Sequence, residues 1–256
     1  EEFFPDDLIS YLNQIYKLNL ERNKILLEEV KFLNKLLIKS NLKYVFIKGS
    51  SYIINNLFYD IGERMTGDID ILVEEKDSFK VKQIIEKNGY YSKENNDFFL
   101  KEIKHYNRQI NKNKIFAVEV HKKLYRNISV KTFHHDIFEK IFKINNCPSP
   151  DYKNQLLINI YNFQINDGGY KKCYNSIRSY YDIYNMKRKY HLKFDSLPKN
   201  KFINNYFMLG SHISENIFSY NYDKDYHYLL RYKLKNKNIL LFKIDQFITF
   251  VLSKID

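Results

Sequence analysis

Apolar residues in the first forty positions recur every three or four residues, which is the spacing of an amphipathic helix. Residues 6–18 open with two aspartates after Pro5, as helix starts do. In residues 21–40 the apolar stripe consists of Ile25, Leu26, Val30, Leu33, Leu36 and Leu37. We therefore expect two helical segments ahead of the first strand.

Between residues 41 and 124, short apolar runs alternate with helical patterns, which is typical of a mixed α and β domain. Asp77 can cap a helix, and Gly89 suits the left-handed residue that closes it. The predicted order is a strand at 41–49, a helix at 50–58, a strand at 67–75 and a helix at 78–88, followed by strands at 97–103, 105–111 and 114–124.

The pattern becomes helical after the segment C-P-S-P at residues 147–150. Helices are predicted at residues 151–166, 171–190, 201–218 and 239–255, with Gly, Pro, Asn and Asp between them. We place a domain boundary at the prolines. The expected architecture is α+β, with one domain over residues 1–147 and a helical C-terminal domain over residues 148–256.

Composition and charge narrow the class of protein only partly. The chain has 256 residues, of which 44% are hydrophobic, so it can build a substantial core. Its net charge of +12 favours polyanionic partners such as RNA, DNA, nucleotides or acidic membranes. An AT-rich genome explains the abundance of Lys equally well, so the charge alone does not decide.

Cysteine content and hydropathy favour a soluble protein of the cytoplasm. Cys147 and Cys173 match no metal-ligand spacing, and we interpret them as reduced structural thiols. No signal peptide opens the sequence, and the apolar stretch at 239–255 is interrupted by Lys243 and Asp245. That stretch is also shorter than the ~20 apolar residues of a membrane-spanning helix. We expect no membrane association.

The segment R-M-T-G-D-I-D-I-L-V at residues 64–73 places two acids on one face of a predicted strand. Strand side chains alternate between faces, so Asp68 and Asp70 lie together while Ile69 and Ile71 face the other way. Like charges repel, so either this face is solvated or a cation lies between the carboxylates. Paired carboxylates are suitable ligands for Mg²⁺. From repulsion alone, Asp70→Asn should leave stability unchanged or slightly raised.

Two further segments carry candidate functional residues. The junction F-I-K-G-S-S runs from a predicted strand into a helix start, where backbone N–H groups can bind phosphate. Gly49 would allow close backbone approach and Ser50 would add a hydroxyl, although such junctions are more often only capped turns. In F-A-V-E-V-H, Glu119 and His121 share one strand face, and each has a simpler interpretation as a solvated or structural side chain.

In combination, these motifs resemble the DNA polymerase beta-like nucleotidyltransferase superfamily, and most closely a bacterial branch of uncharacterised nucleotidyltransferases. The matching elements are Lys48, Gly49, Arg64, residues 67–73, Gly89, Tyr90 and residues 118–121, together with residues 177–186, where Asp182 is the matching acid. The resemblance covers most of residues 20–190. Residues 51–67 separate Ser50 from Asp68, a longer gap than is usual in the wider superfamily.

The resemblance implies a polymerase-beta-like domain, a mixed sheet flanked by helices, that moves a nucleoside monophosphate from an NTP to an acceptor and releases pyrophosphate. It implies catalytic and metal-binding roles for Asp68, Asp70 and Glu119, with Mg²⁺ or Mn²⁺ as the cofactor. Phosphate contacts are implied for Lys48, Gly49, Ser50 and Arg64. His121 would touch the acceptor or orient Glu119.

The acceptor stays open at this point. A tRNA or another RNA, a protein hydroxyl or a small molecule all fit, and the positive charge favours RNA or a toxin-like role with a cognate antitoxin. The competing hypothesis is a catalytically inactive member that binds nucleotide or RNA. The presence of all three carboxylates argues against that alternative.

Overall fold

The chain folds into two units, Glu1–Gln155 and Leu156–Asp256. The structure is a computed structural model that describes residues 4–93, 104–125 and 136–255. In this described part of the chain, every strand lies in the first unit. The strand predicted at 97–103 lies outside the described residues.

The first unit is a mixed α and β structure, as the sequence predicted. Its elements are α1 (Asp6–Ile38), β1 (Tyr44–Ile47), α2 (Lys48–Ile54), β2 (Asp68–Val73), α3 (Ser78–Lys87), β3 (Ala117–His121), β4 (Ile141–Ile144) and β5 (Cys147–Pro150). Helix α1 is continuous, where the sequence predicted two segments. Gly89, two residues after the end of α3, adopts φ +86°, which confirms its predicted left-handed conformation.

A three-stranded sheet in the order β1-β2-β3 forms the centre of this unit. Strand β2 pairs antiparallel with β1 and parallel with β3. Its residues Ile69, Ile71 and Leu72 are completely buried. Residues 104–110 run along the other edge of β3, where the backbones of Gln109 and Val118 exchange two hydrogen bonds. The predicted strand at 105–111 is therefore present as irregular antiparallel pairing.

Helix α1 buries three polar side chains together with its leucines: Asn23, Glu29 and Asn34. Asn23 donates to the carbonyls of Ile61 and Arg64, at 2.5 and 2.8 Å, in the segment that leads into β2. Glu29 accepts from the backbone N–H of Phe116, at 3.3 Å, immediately before β3. A buried polar group is stable only when it is hydrogen-bonded, so these contacts fix the chain entering both strands against one helix.

Strands β4 and β5 form a hairpin that the sequence did not suggest. Asn145 and Asn146 form its turn with φ angles of +51° and +63°, the signs that a tight hairpin turn requires. The segment that we interpreted as a domain boundary is thus a buried strand of the first unit. Prolines are tolerated there because an edge strand can do without some backbone N–H donors.

The described part of the second unit is helical. Its α-helices are α4 (Tyr152–Tyr161), which begins in the first unit, α5 (Gly169–Lys172), α6 (Ile177–Tyr190), α7 (Lys201–Ser211), α8 (Tyr226–Lys237) and α9 (Ile239–Ile255). Cys173 packs in a buried cluster with Met208, Leu209 and Tyr228. Burial raises the pKa of its thiol to about 11, so this cysteine is a poor nucleophile at neutral pH.

None of the helices in the described residues has both the length and the apolar character needed to cross a membrane.

We predict that Gly49→Ala destabilises the protein by about 1–3 kcal/mol, because overpacking a filled site forces its neighbours to shift. A Cβ at Gly49 would lie 2.9 Å from Cγ2 of the buried Thr66. Chemical denaturation measures the loss, and adding Thr66→Ser should recover part of it by removing that methyl group. Gly67→Ala is the matched control, since no atom lies within 4 Å of its Cβ position. Equal losses for the two alanine variants would contradict this packing argument.

Candidate active site

Three polar side chains meet where β2 and β3 run side by side. The parallel register places Asp70 opposite Glu119 and Leu72 opposite His121. Paired residues of parallel strands point to the same face, so Asp68, Asp70, Glu119 and His121 share one side of the sheet. This agrees with the sequence analysis, which put Asp68 and Asp70 on one face of their strand and Glu119 and His121 on one face of theirs.

Asp70 is the most enclosed of the acids, with 7% of its surface exposed. Its Oδ1 lies 2.6 Å from Nζ of Lys48 and 2.7 Å from Nε2 of His121. Lys48 Nζ is also 3.5 Å from the same ring nitrogen. A buried carboxylate requires compensation of this kind, and here one oxygen receives both contacts.

The environment of Asp70 stabilises its charged form. Burial alone would raise the pKa of this carboxyl, but the Lys48 ammonium and the His121 hydrogen bond outweigh burial and hold the pKa below its ordinary value of 3.8. Asp70 is therefore ionised throughout the neutral range.

Asp68 lies in a different environment two residues earlier. Burial raises the pKa of its carboxyl, and the guanidinium of Arg108, which donates to Oδ1, only partly opposes that rise. Arg108 is a well-exposed side chain, so this is a partly solvated ion pair of modest strength. Asp70 and Asp68 thus have pKa values displaced in opposite directions.

Glu119 faces two imidazoles. Its Oε2 lies 3.4 Å from Nε2 of His121 and 4.0 Å from Nε2 of His105. Burial opposes ionisation of Glu119, but the contact with His121 prevails and its pKa is lowered. Burial also lowers the pKa of His105, which favours the neutral ring at pH 7.

The donor atoms of Asp70, Glu119 and His121 lie within 4.8 Å of one another, close enough to hold one metal ion. Two carboxylates and an imidazole are ligands that suit divalent cations such as Mn²⁺ or Zn²⁺. His121 is almost fully buried, and among the described residues its Nδ1 has no hydrogen-bond partner, so the polar contacts of the ring are those that Nε2 makes with the acids. The donor set therefore fits a metal.

The four predicted phosphate ligands occupy different positions. Lys48 is the first residue of α2 and points to Asp70, and its φ of +56° is rare for a residue with a side chain. Gly49 packs closely against Thr66. Ser50 is buried and donates to the carbonyl of Ile47 at 2.8 Å, and Arg64 is buried and donates to the carbonyl of Met65. The phosphate-binding roles of these four residues stay predictions. Helix α2, which contains Lys48, Gly49 and Ser50, is short, with only seven residues.

Two further side chains that lie beside the acids of this face were not predicted from the sequence. Arg108 and His105 both come from the 104–110 segment, whose pairing with β3 brings them to Asp68 and Glu119. Regular strand alternation would put His105 and Arg108, three residues apart, on opposite faces, so the sequence pattern gave no signal for both of them. Asp182, the acid in the later matching segment, is buried in the second unit and accepts from Asn159 at 3.3 Å.

Comparison with known protein families identifies a match over most of the chain. The sequence model of a family described as "Uncharacterised nucleotidyltransferase" matches residues 1–199, which includes the whole first unit. Searches of curated proteins and of solved structures found no match.

We predict that Asp70→Asn lowers the free energy of unfolding at pH 7 by about 1–3 kcal/mol, because it leaves Lys48 and His121 without their charged partner. This expected loss of stability corrects the sequence-based prediction, which considered only repulsion between carboxylates and gave an unchanged or slightly raised stability. Asp70 has a lower pKa folded than unfolded, so its contribution is present above about pH 3.8 and is lost as the pH falls. The variant should therefore show a shallower loss of stability on acidification, measured by urea denaturation across pH.

Asp68→Asn is the matched control for that measurement. The pKa of Asp68 is raised by folding, so its charge contributes no comparable stability at pH 7. A loss as large as that of Asp70→Asn, or an unchanged acid profile in Asp70→Asn, would refute the assigned pairing.

Proposed function

The chain belongs to the uncharacterised nucleotidyltransferase family, and on that premise we propose that it moves a nucleoside monophosphate from an NTP to a hydroxyl or phosphate acceptor. Pyrophosphate is the second product. The observation that supports this activity best is the parallel register of β2 and β3, which sets Asp70 beside Glu119.

The proposed reaction needs positioning and charge neutralisation more than covalent chemistry. An oxygen of the acceptor attacks the α-phosphorus and forms a new phosphorus–oxygen bond. The bond from the α-phosphorus to the bridging oxygen breaks, and pyrophosphate leaves with that oxygen. In this proposal Glu119, whose lowered pKa keeps it ionised at neutral pH, accepts the proton from an acceptor hydroxyl.

Asp70, Glu119 and His121 are the residues that we propose hold a divalent ion. When bound, such an ion would neutralise phosphate charge and lower the cost of the developing negative charge. Asp68 stays in the proposed site because it shares the face of Asp70 and its partner Arg108 is exposed. An exposed ion pair contributes little stability and breaks easily, which frees the carboxylate for a ligand role.

The imidazole of His121 bears on the identity of the ion. Mg²⁺ prefers oxygen ligands, whereas Mn²⁺ accepts both oxygen and imidazole nitrogen. We propose that Mn²⁺ supports the reaction at least as well as Mg²⁺. The same reasoning gives His121 a direct contact with the ion or with Asp70, since it lies closer to Asp70 than to Glu119.

The distribution of charge favours RNA, such as tRNA, as the acceptor over a protein or a small molecule. In residues 156–256, Lys and Arg outnumber Asp and Glu by 16 to 8, so this unit carries eight of the twelve net positive charges. Phosphate neutralisation supplies most non-specific affinity for nucleic acid. A toxin with a cognate antitoxin is compatible with the same activity, and an inactive nucleotide-binding member is the alternative.

We predict that incubation with each α-labelled NTP, Mn²⁺ or Mg²⁺ and total RNA transfers label to RNA. Asp70→Asn and Glu119→Gln should each reduce the rate by about 100-fold or more, because each removes a metal ligand at the reacting phosphate. Gel analysis with ribonuclease and protease treatment identifies the labelled acceptor.

Glu74→Gln is the control for a lost carboxylate in the same strand region, since Glu74 pairs with Lys43 and Lys76 at the surface. It should retain the wild-type rate. Nucleotide binding without transfer to RNA, protein or small molecules would support the inactive alternative. Full activity in Asp70→Asn would show that the proposed active site is wrong.

A further inference from the structure

The ammonium of Lys48 lies among the proposed metal ligands. It is 2.6 Å from Asp70 Oδ1 and 3.5 Å from His121 Nε2, and both atoms belong to the group that can hold an ion. The Lys48 side chain is largely enclosed, with 23% of its surface exposed. Its position is defined by the β1–α2 junction, where the residue adopts a left-handed backbone conformation.

A divalent ion and this ammonium exclude each other. Oxygen and imidazole ligands bind such ions at about 2.0–2.2 Å. An ion at that distance from Asp70 Oδ1 and His121 Nε2 would lie against the ammonium that already contacts both atoms. Two cations at such short range repel strongly where little water screens them. Binding of the ion therefore requires Lys48 to leave.

We propose that Lys48 is an internal counter-ion that holds the metal position closed until a divalent ion displaces it. This inference rests on the proposed function, and it gives Lys48 a role beyond the contact with phosphate that its motif suggests. Once displaced, the ammonium needs another anion, and a triphosphate in the same site supplies one. Metal and nucleotide then strengthen each other's binding. The ion releases Lys48 to contact the triphosphate, and the triphosphate provides an anion for the displaced ammonium.

Two other cations of this unit, Arg108 and Lys43, differ from Lys48 in a testable way. Arg108 contacts Asp68, whose oxygen lies outside the group of three close donors. Lys43 pairs with Glu74 at 3.7 Å on the surface of the same unit. Removing the charge of Lys43 changes the net charge as much as removing that of Lys48, without vacating the ion position. Lys43→Met is therefore the matched control for Lys48→Met.

The experiment measures Mn²⁺ binding in the absence of nucleotide, by electron paramagnetic resonance of the free ion. We expect Lys48→Met and Lys48→Gln to bind Mn²⁺ at least ~10-fold more tightly than wild type, because a competing cation has been removed. Lys48→Arg should stay near wild type, and Lys43→Met should be unchanged. Affinity for a non-hydrolysable NTP analogue with Mn²⁺ should fall in Lys48→Met. Unchanged or weaker Mn²⁺ binding in the folded neutral variants would overturn the inference.

A second measurement uses the wild-type chain and does not depend on the variants folding. Lysine acetylation by a small reagent, read by mass spectrometry, should increase at Lys48 when Mn²⁺ saturates the protein. Lys43 is the internal reference and should not change. Constant Lys48 reactivity at saturating Mn²⁺ would also overturn the inference. Failure of NMP transfer with both effects present would instead reject the proposed function and leave the counter-ion role standing.

Discussion

The contact between the Asp70 carboxylate and the Lys48 ammonium is the constraint on which the centre of the first unit depends. A carboxylate with 7% exposure in the middle strand of a sheet would be strongly destabilising without compensation. Lys48 and His121 provide it through a single oxygen. Arg108 pairs with Asp68 and the imidazole of His121 lies 3.4 Å from Glu119, so each acid of this face has a basic side chain of the protein beside it.

That balance depends on elements that are distant in sequence and held in register by buried polar contacts. Helix α1 orients the segments leading into β2 and β3 through Asn23 and Glu29, which are polar residues within an otherwise apolar stripe. Because each of these side chains bonds to backbone atoms, the arrangement does not require particular side chains in the segments it holds. One helix thus contacts the segments that lead into both strands, and the parallel pairing of β2 with β3 then sets Asp70 beside Glu119.

Local alternation was sufficient to predict which acids share a face, because the period of a strand is two residues whatever the fold around it. The ionic partners were not predictable in that way. Lys48, Arg108 and His105 reach the acids only through the pairing of β1 and the 104–110 segment with the central strands. The hairpin of β4 and β5 was missed because two prolines in four residues normally mark a break. The expected effect of Asp70→Asn on stability changed direction for a related reason, because the ionic partners of Asp70 are brought to it by tertiary structure.

The junction between β1 and α2 contains no loop, since Ile47 ends the strand and Lys48 begins the helix. Any movement of the Lys48 ammonium away from Asp70 therefore uses rotations about its own side-chain bonds. Such rotations take picoseconds to nanoseconds in exposed side chains, and although the partial enclosure of Lys48 slows them, they need none of the loop or domain motions that take microseconds or longer. In the proposed displacement of Lys48 the backbone at this junction does not have to rearrange, so that step would not wait for the slow motions that govern many enzyme lids.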